Sequence, residues 1–211
     1  ISVDHLIRHG ADPRNILVCH NFYPEKYTGL SREVFAGFNR KWKGLGLHTA
    51  AFVSSNNKDT YGPWPVYSGL CTMEIDRGLP IELQTRHILA TEEIDGILIG
   101  NAYASEEELK AMSEVDMTKT NITVKVVEGL CEAEMKVLKE YHHAGRTDAS
   151  EFLIRSSMPR LDCKNASIPH RDCGQDLFHR GDVVVVNDNL GHYRGEVEVI
   201  LKDIPNDGER N

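Results

Sequence analysis

The chain has 211 residues, 40% apolar and 27% charged, a globular balance with room for one large domain or two small ones. Its 32 acidic residues outnumber 24 Lys and Arg, giving a formal net charge of −8; a general nucleic-acid binder, which carries a basic patch or stripe, is disfavoured. No apolar run approaches the ~20 residues of a membrane span, and no secretory leader pattern is visible, so neither a membrane nor a nucleic-acid partner is expected.

Residues 1–8, "ISVDHLIR", read as the tail of a helix. "NILVCHNFY" is an apolar run, followed from Ser31 to Leu45 by helical spacing through Val34, Phe35, Phe38 and Trp42, with Ser31 as N-cap and Gly44 and Gly46 as stops. "HTAAFVSS" is a second run. The helix after it, "LPIELQTRHILAT", takes Pro80 in its first turn and Ile81, Leu83 and Ile88 as apolar contacts. "DGILIGNAY" is the third run, and "SEEELKAMSEV" follows with Ser105 and Glu108 as a capping box. Strands without polar alternation, each followed by a helix, predict a parallel sheet covered on both faces. Working residues then gather where strands end, at His20–Asn21–Tyr23, Ser54–Ser55–Asn56 and Asn101–Tyr103.

After Asn121 the pattern changes. "NITVKVV" alternates as a half-buried strand does, Glu132–Glu140 suits a short helix, and "SEFLIRSS", "GDVVVVND" and "YRGEVEVILKD" predict further strands between turns. Asn187, Asn189 and Gly191 read as a hairpin turn. The expected division is 1–117, a βα domain, and 118–211, a β-rich domain, with the boundary in the polar stretch between Glu114 and Asn121. The five cysteines, Cys19, Cys71, Cys131, Cys163 and Cys173, are odd in number and scattered, which suits reduced thiols in a cytoplasm. Cys163, His170, Cys173 and His179 fit no common zinc spacing, so no metal is expected.

The stretches "CHNFYPEKYTGLS", "TAAFVSS", "GPWPVYSGLCTMEIDRGLPIELQTRHILAT", "IDGILIGNAYASEEEL" and "RGDVVVVNDNLGHYRGEVEVILKDIPNDGERN" closely resemble the bacterial 6-phospho-N-acetylmuramidases, over essentially the whole chain. The resemblance implies an α/β fold, the last three βα units of a TIM (β/α)8 barrel followed by a small cyclophilin-like β domain. It implies cytoplasmic hydrolysis of a glycoside of 6-phosphorylated N-acetylmuramic acid in cell-wall recycling, with a phosphorylated amino-sugar glycoside as partner and no cofactor. A whole barrel takes about 250 residues, and the first five strands have no counterpart here. The chain therefore reads as a fragment, cut at both ends and a poor enzyme alone, whose unpaired strand edges either pair with another copy as a homodimer or leave the βα half loosely packed.

A glycosidase usually needs two carboxyl groups flanking the scissile bond, and no clean pair stands at the strand ends. Glu74, in "GLCTMEIDRGLP", matches the family pattern and is the candidate catalytic carboxylate, with a loop-bracing hydrogen bond as the plainer role; the main acid and base are expected in the missing strands. Glu25 suits a solvated pair and Asp95 a structural role. Glu106–Glu108 are explained as favourable charge at a helix N-terminus. His20 suits a sugar hydroxyl or a carboxylate, Asn21 and Asn101 a hydroxyl or acetamido group, and Tyr23 and Tyr103 pyranose stacking. Trp64, in the rigid "YGPWPV", is a lid over sugar or a cap on the rim. Arg155 beside Ser156 suits phosphate or a lactyl carboxylate, or an ion pair between domains. Two other functions stay open: a non-catalytic carbohydrate- or protein-binding module, and a phosphosugar isomerase or aldolase, which would want a Lys or metal cluster where Lys26 stands alone.

Overall fold

The computed structural model describes residues 2–148 and 150–211, and the chain divides into two units, Ile1–Ile122 and Thr123–Asn211. In the first unit the three apolar runs become parallel strands β1 (Leu17–Cys19), β2 (His48–Val53) and β3 (Gly96–Ile99), hydrogen-bonded in the order β1-β2-β3. Leu17 stands opposite His48, and Ala50 opposite Gly96. The middle strand has lost its water: Ala50, Ala51 and Val53 are buried, whereas Leu17 on β1 and Leu98 on β3 are exposed.

Helix α1 (Val3–Arg8) precedes the sheet, with the Ser2 hydroxyl accepting from the His5 N–H. Helices α2 (Arg32–Gly44), α3 (Ile81–Leu89) and α4 (Glu106–Ser113) follow the three strands in turn. Ser31 caps α2, and Ser105 with Glu108 forms the expected capping box on α4. Pro80 stands at the N-cap of α3, one position before the helix. Of the four spaced apolar residues of α2 only Phe35 is buried; it joins Ala51, Val53, Met73, Ile81, Ile88 and Ile94 in the core.

The second unit opens with α5 (Glu132–Lys139). Strands β4 (Leu153–Ser156), β6 (Val183–Val185) and β7 (Val197–Ile200) form an antiparallel sheet in the order β4-β7-β6, and β5 (Leu177–Phe178) pairs with β8 (Ile204–Pro205). Val137, Cys163, Ile168, Val185 and Val197 make one apolar cluster, and Phe178, Val184 and Ile200 another. Between β6 and β7 the expected turn is a short 3-10 segment, with the Asn187 side chain accepting from the Asn189 N–H. The strand expected over 121–127 does not form, and Ile122, Val124, Val126 and Val127 are exposed. A two-residue period marks a face; a strand also needs a neighbour to complete its ladder. The fold is thus mixed α/β, with a parallel sheet in one unit and antiparallel sheets in the other. Among the described residues no helix is long and apolar enough to cross a membrane.

Candidate functional site

Beyond the C-terminal ends of β2 and β3 lies an open polar cleft of about 560 Å3. Ser55 lines it, and the backbone of Ser55 and of buried Ser54 before it is held by two primary amides. The Gln84 side chain, from α3, accepts from the Ser54 N–H and donates to the Ser54 carbonyl, both at 2.8 Å. Asn101, just past β3, does the same for Ser55, accepting from its N–H at 2.8 Å and donating to its carbonyl at 2.9 Å. A primary amide thus replaces the partner strand where the ladder stops. Glu108 braces the same segment from behind the lining residues, accepting from the Ser55 hydroxyl and from the Asn56 and Ser105 N–H groups. Burial opposes its ionisation, but these hydrogen bonds outweigh burial and leave the carboxyl below its ordinary value.

One wall is the loop around Tyr27 and Gly29, folded onto Glu74. The carboxylate accepts from the Tyr27 N–H at 2.7 Å and the Gly29 N–H at 2.8 Å, and takes Nε and Nη2 of Arg77, each at 2.7 Å. Arg77 donates further to the carbonyls of Ser68, Gly69, Tyr23 and Glu25, tying three loops together. The Arg77 guanidinium, helped by the two backbone N–H groups, pushes the Glu74 carboxyl down to about 2. Glu74 is therefore an anion at neutral pH and cannot serve as the protonated acid of a glycosidase pair. It is also the one carboxylate among the described residues lining the cleft.

Two glycines are obligatory. A Cβ on Gly29 would lie 2.6 Å from the Glu74 backbone nitrogen, and one on Gly100 would lie 2.3 Å from the Leu70 carbonyl oxygen. Tyr27 and Tyr103, by contrast, hold φ of 71° and 66°, where an L side chain costs roughly 1–2 kcal/mol, and both rings are exposed.

Of the expected site residues, Asn101 and Glu74 line the cleft, together with Ser55 and Asn56. His20 does not. It is buried against α2, 4.5 Å from the rings of both Phe35 and Trp42, with Nε2 2.7 Å from the Asn39 Oδ1. Because the Asn39 amide donates to Glu93, its oxygen faces His20, which must donate from Nε2. Burial lowers the His20 pKa despite that bond, so the ring is a neutral packing element. A strand end selects a position, and the side chain there still turns toward whichever layer lacks packing. Asn21 and Tyr23 contribute backbone, their carbonyls accepting from Thr72 and Arg77. The Tyr103 carbonyl accepts from the Asn57 amide. Trp64 sits 5.9 Å from the Phe22 ring, in a loop whose Gly62 and Val66 line the cleft. Arg155, on β4, lies 3.2 Å from Asp148, which also holds Arg146. The sequence marks Glu108 only as a helix cap and gives no sign of Gln84; for Arg77 the i,i+3 spacing to Glu74 is the one available signal.

A mixed α/β protein with a polar cleft beyond the C-terminal ends of its parallel strands is the class these features define. Residues 1–114 match "6-phospho-N-acetylmuramidase, N-terminal" and residues 120–211 match "6-phospho-N-acetylmuramidase, C-terminal". The chain belongs to the 6-phospho-N-acetylmuramidase family. No curated protein matches it. Among solved structures it is similar to an uncharacterized B. cereus protein, at 38% identity and TM-score 0.89, over 99% of this chain and 59% of that one. It is also similar to a conserved Enterococcus faecalis protein of unknown function, at 27% identity and TM-score 0.64, over 100% of this chain and 56% of that one. The chain therefore spans less than two thirds of either structure's length.

Proposed function

We propose that the cleft is part of the substrate site of a glycoside hydrolase acting on 6-phospho-N-acetylmuramic acid glycosides, in bacterial cell-wall recycling in the cytoplasm. The supporting observation is a polar cleft at strand ends, lined by Ser55, Asn56, Asn57 and Thr60, in a chain of this family. Hydroxyls and amides both donate and accept, as sugar hydroxyl and acetamido groups require. In this reading the three βα units belong to a TIM barrel, and the second unit is a cyclophilin-like domain that carries Arg155, whose guanidinium suits an anionic group. Asn21, Tyr23, Trp64 and Tyr103 shape the rim. Asn101 acts through Ser55 rather than by touching sugar. The outer strands β1 and β3 offer edges to further barrel strands or to a second copy.

The protonated acid of a reacting carboxyl pair lies outside these cleft residues, because Glu74 is the one carboxylate lining the cleft among the described residues and is ionised. The same observation favours a second reading, in which this chain binds the sugar without hydrolysing it. Titration with N-acetylmuramic acid 6-phosphate, followed by amide NMR, tests the site. Shifts are expected at Ser55, Asn56 and Asn57, without turnover of a 6-phosphomuramyl glycoside. Absence of binding at millimolar ligand would overturn the assignment, and turnover by this chain would overturn the missing-pair argument.

A further inference from the structure

The loop carrying Lys26 and Tyr27 is braced beyond what closing a turn requires. Its backbone is fixed by Glu74, which is itself fixed by Arg77, and Gly29 admits no side chain. The product of that bracing is a tyrosine in the left-handed region, φ 71°, the residue 89% exposed. Glycine or asparagine would suit this backbone better, and an exposed ring contributes no packing. Strain of this kind persists where the surroundings over-determine it, often at ligand sites. The cleft has two cationic side chains, Lys26 and Arg77. Arg77 is neutralised by Glu74 at 2.7 Å, whereas Lys26 makes no ion pair among the described residues.

We propose that Lys26 and Tyr27 form a recognition arm for the phosphorylated sugar, the Tyr27 ring stacking on the pyranose face and the Lys26 ammonium meeting the 6-phosphate. This inference rests on the cleft being a phosphomuramyl site and names the residues that set its specificity. A pyranose offers C–H groups to an aromatic face, and a flexible ammonium suits a phosphate as a point charge.

Calorimetric titration of the full 211-residue chain with N-acetylmuramic acid 6-phosphate and with N-acetylmuramic acid tests it. Lys26→Met is expected to weaken the phosphorylated ligand roughly tenfold and leave the other unchanged. Tyr27→Ala and Tyr27→Gly should weaken both ligands roughly tenfold, while Tyr27→Phe binds as the parent does. Tyr27→Gly should not lower the melting temperature, since glycine relieves the backbone and no packing is lost. If the parent binds and both Lys26→Met and Tyr27→Ala bind equally well, the arm is refuted while the cleft assignment stands. If Tyr27→Gly and Tyr27→Ala both lower the melting temperature sharply, the ring is a packing residue and the arm is again refuted. If the parent binds neither sugar, the cleft assignment and the arm fall together.

Discussion

Glu74, the candidate catalytic carboxylate, is held by a full set of partners. Two backbone N–H groups and a guanidinium fork saturate its acceptors, so its proton affinity is low and its geometry fixed. Its carboxyl sits at about 2 in the folded chain against an ordinary 4.5. Because the folded value is depressed, the stabilisation is complete above about pH 4.5 and is lost as pH falls toward about 2. Glu74→Gln should therefore cost roughly 1.5–3 kcal/mol at pH 7, and urea denaturation of parent and variant should converge as the pH is lowered through that range. A gap independent of pH would mean that the carboxylate charge is not its source. Asn101 makes the parallel case for a neutral group. Asn101→Ala leaves both backbone groups of buried Ser55 without that amide, a loss of ~1–3 kcal/mol in folding stability. An unchanged denaturation midpoint would assign Asn101 to ligand contact instead.

At the scale of elements, α4 does two jobs through one residue. Glu108 closes the capping box with Ser105 and also holds Ser55 and Asn56 at the end of β2. Ser105→Ala should cost about 1 kcal/mol, the worth of an N-cap. Glu108→Ala should cost more, and should also shift the Ser55 and Asn56 amide resonances, which Ser105→Ala leaves in place. Equal costs and equal spectra would reduce Glu108 to a cap. Where β3 ends, Gly100 lies under the Leu70 carbonyl, with backbone on both sides of the contact. Gly100→Ala must displace a strand end or a loop, and overpacking of that kind costs typically ~1–3 kcal/mol, read as a lower thermal midpoint.

Across the whole molecule, the βα unit and the β-rich unit each have their own apolar clusters. The chain between α4 and α5 carries no strand, and Lys119 and Lys125 in it are exposed. Brief trypsin treatment should cut first at one of these lysines and leave two resistant pieces. First cleavage at Arg180 or Arg194, which flank β6 and β7, would contradict that division.

The sequence by itself determined what depends on near neighbours along the chain. Three apolar runs with intervening helical spacing specified the parallel strands, and Ser31, Ser105 and Glu108 announced helix starts, because caps act over three or four residues. The family was legible for the same reason, in long continuous motifs. What the tertiary structure alone decided is where side chains at those positions point and what they meet. His20 stands at a strand end, yet Asn39, Phe35 and Trp42 of the following helix capture it. The alternating 121–127 segment has a strand's pattern and forms none. Arg77 joins carbonyls from Tyr23 to Gly69, a convergence no local spacing encodes. Such contacts depend on which segments fold into reach of one another, and that is settled by packing of the whole unit rather than by any window of its sequence.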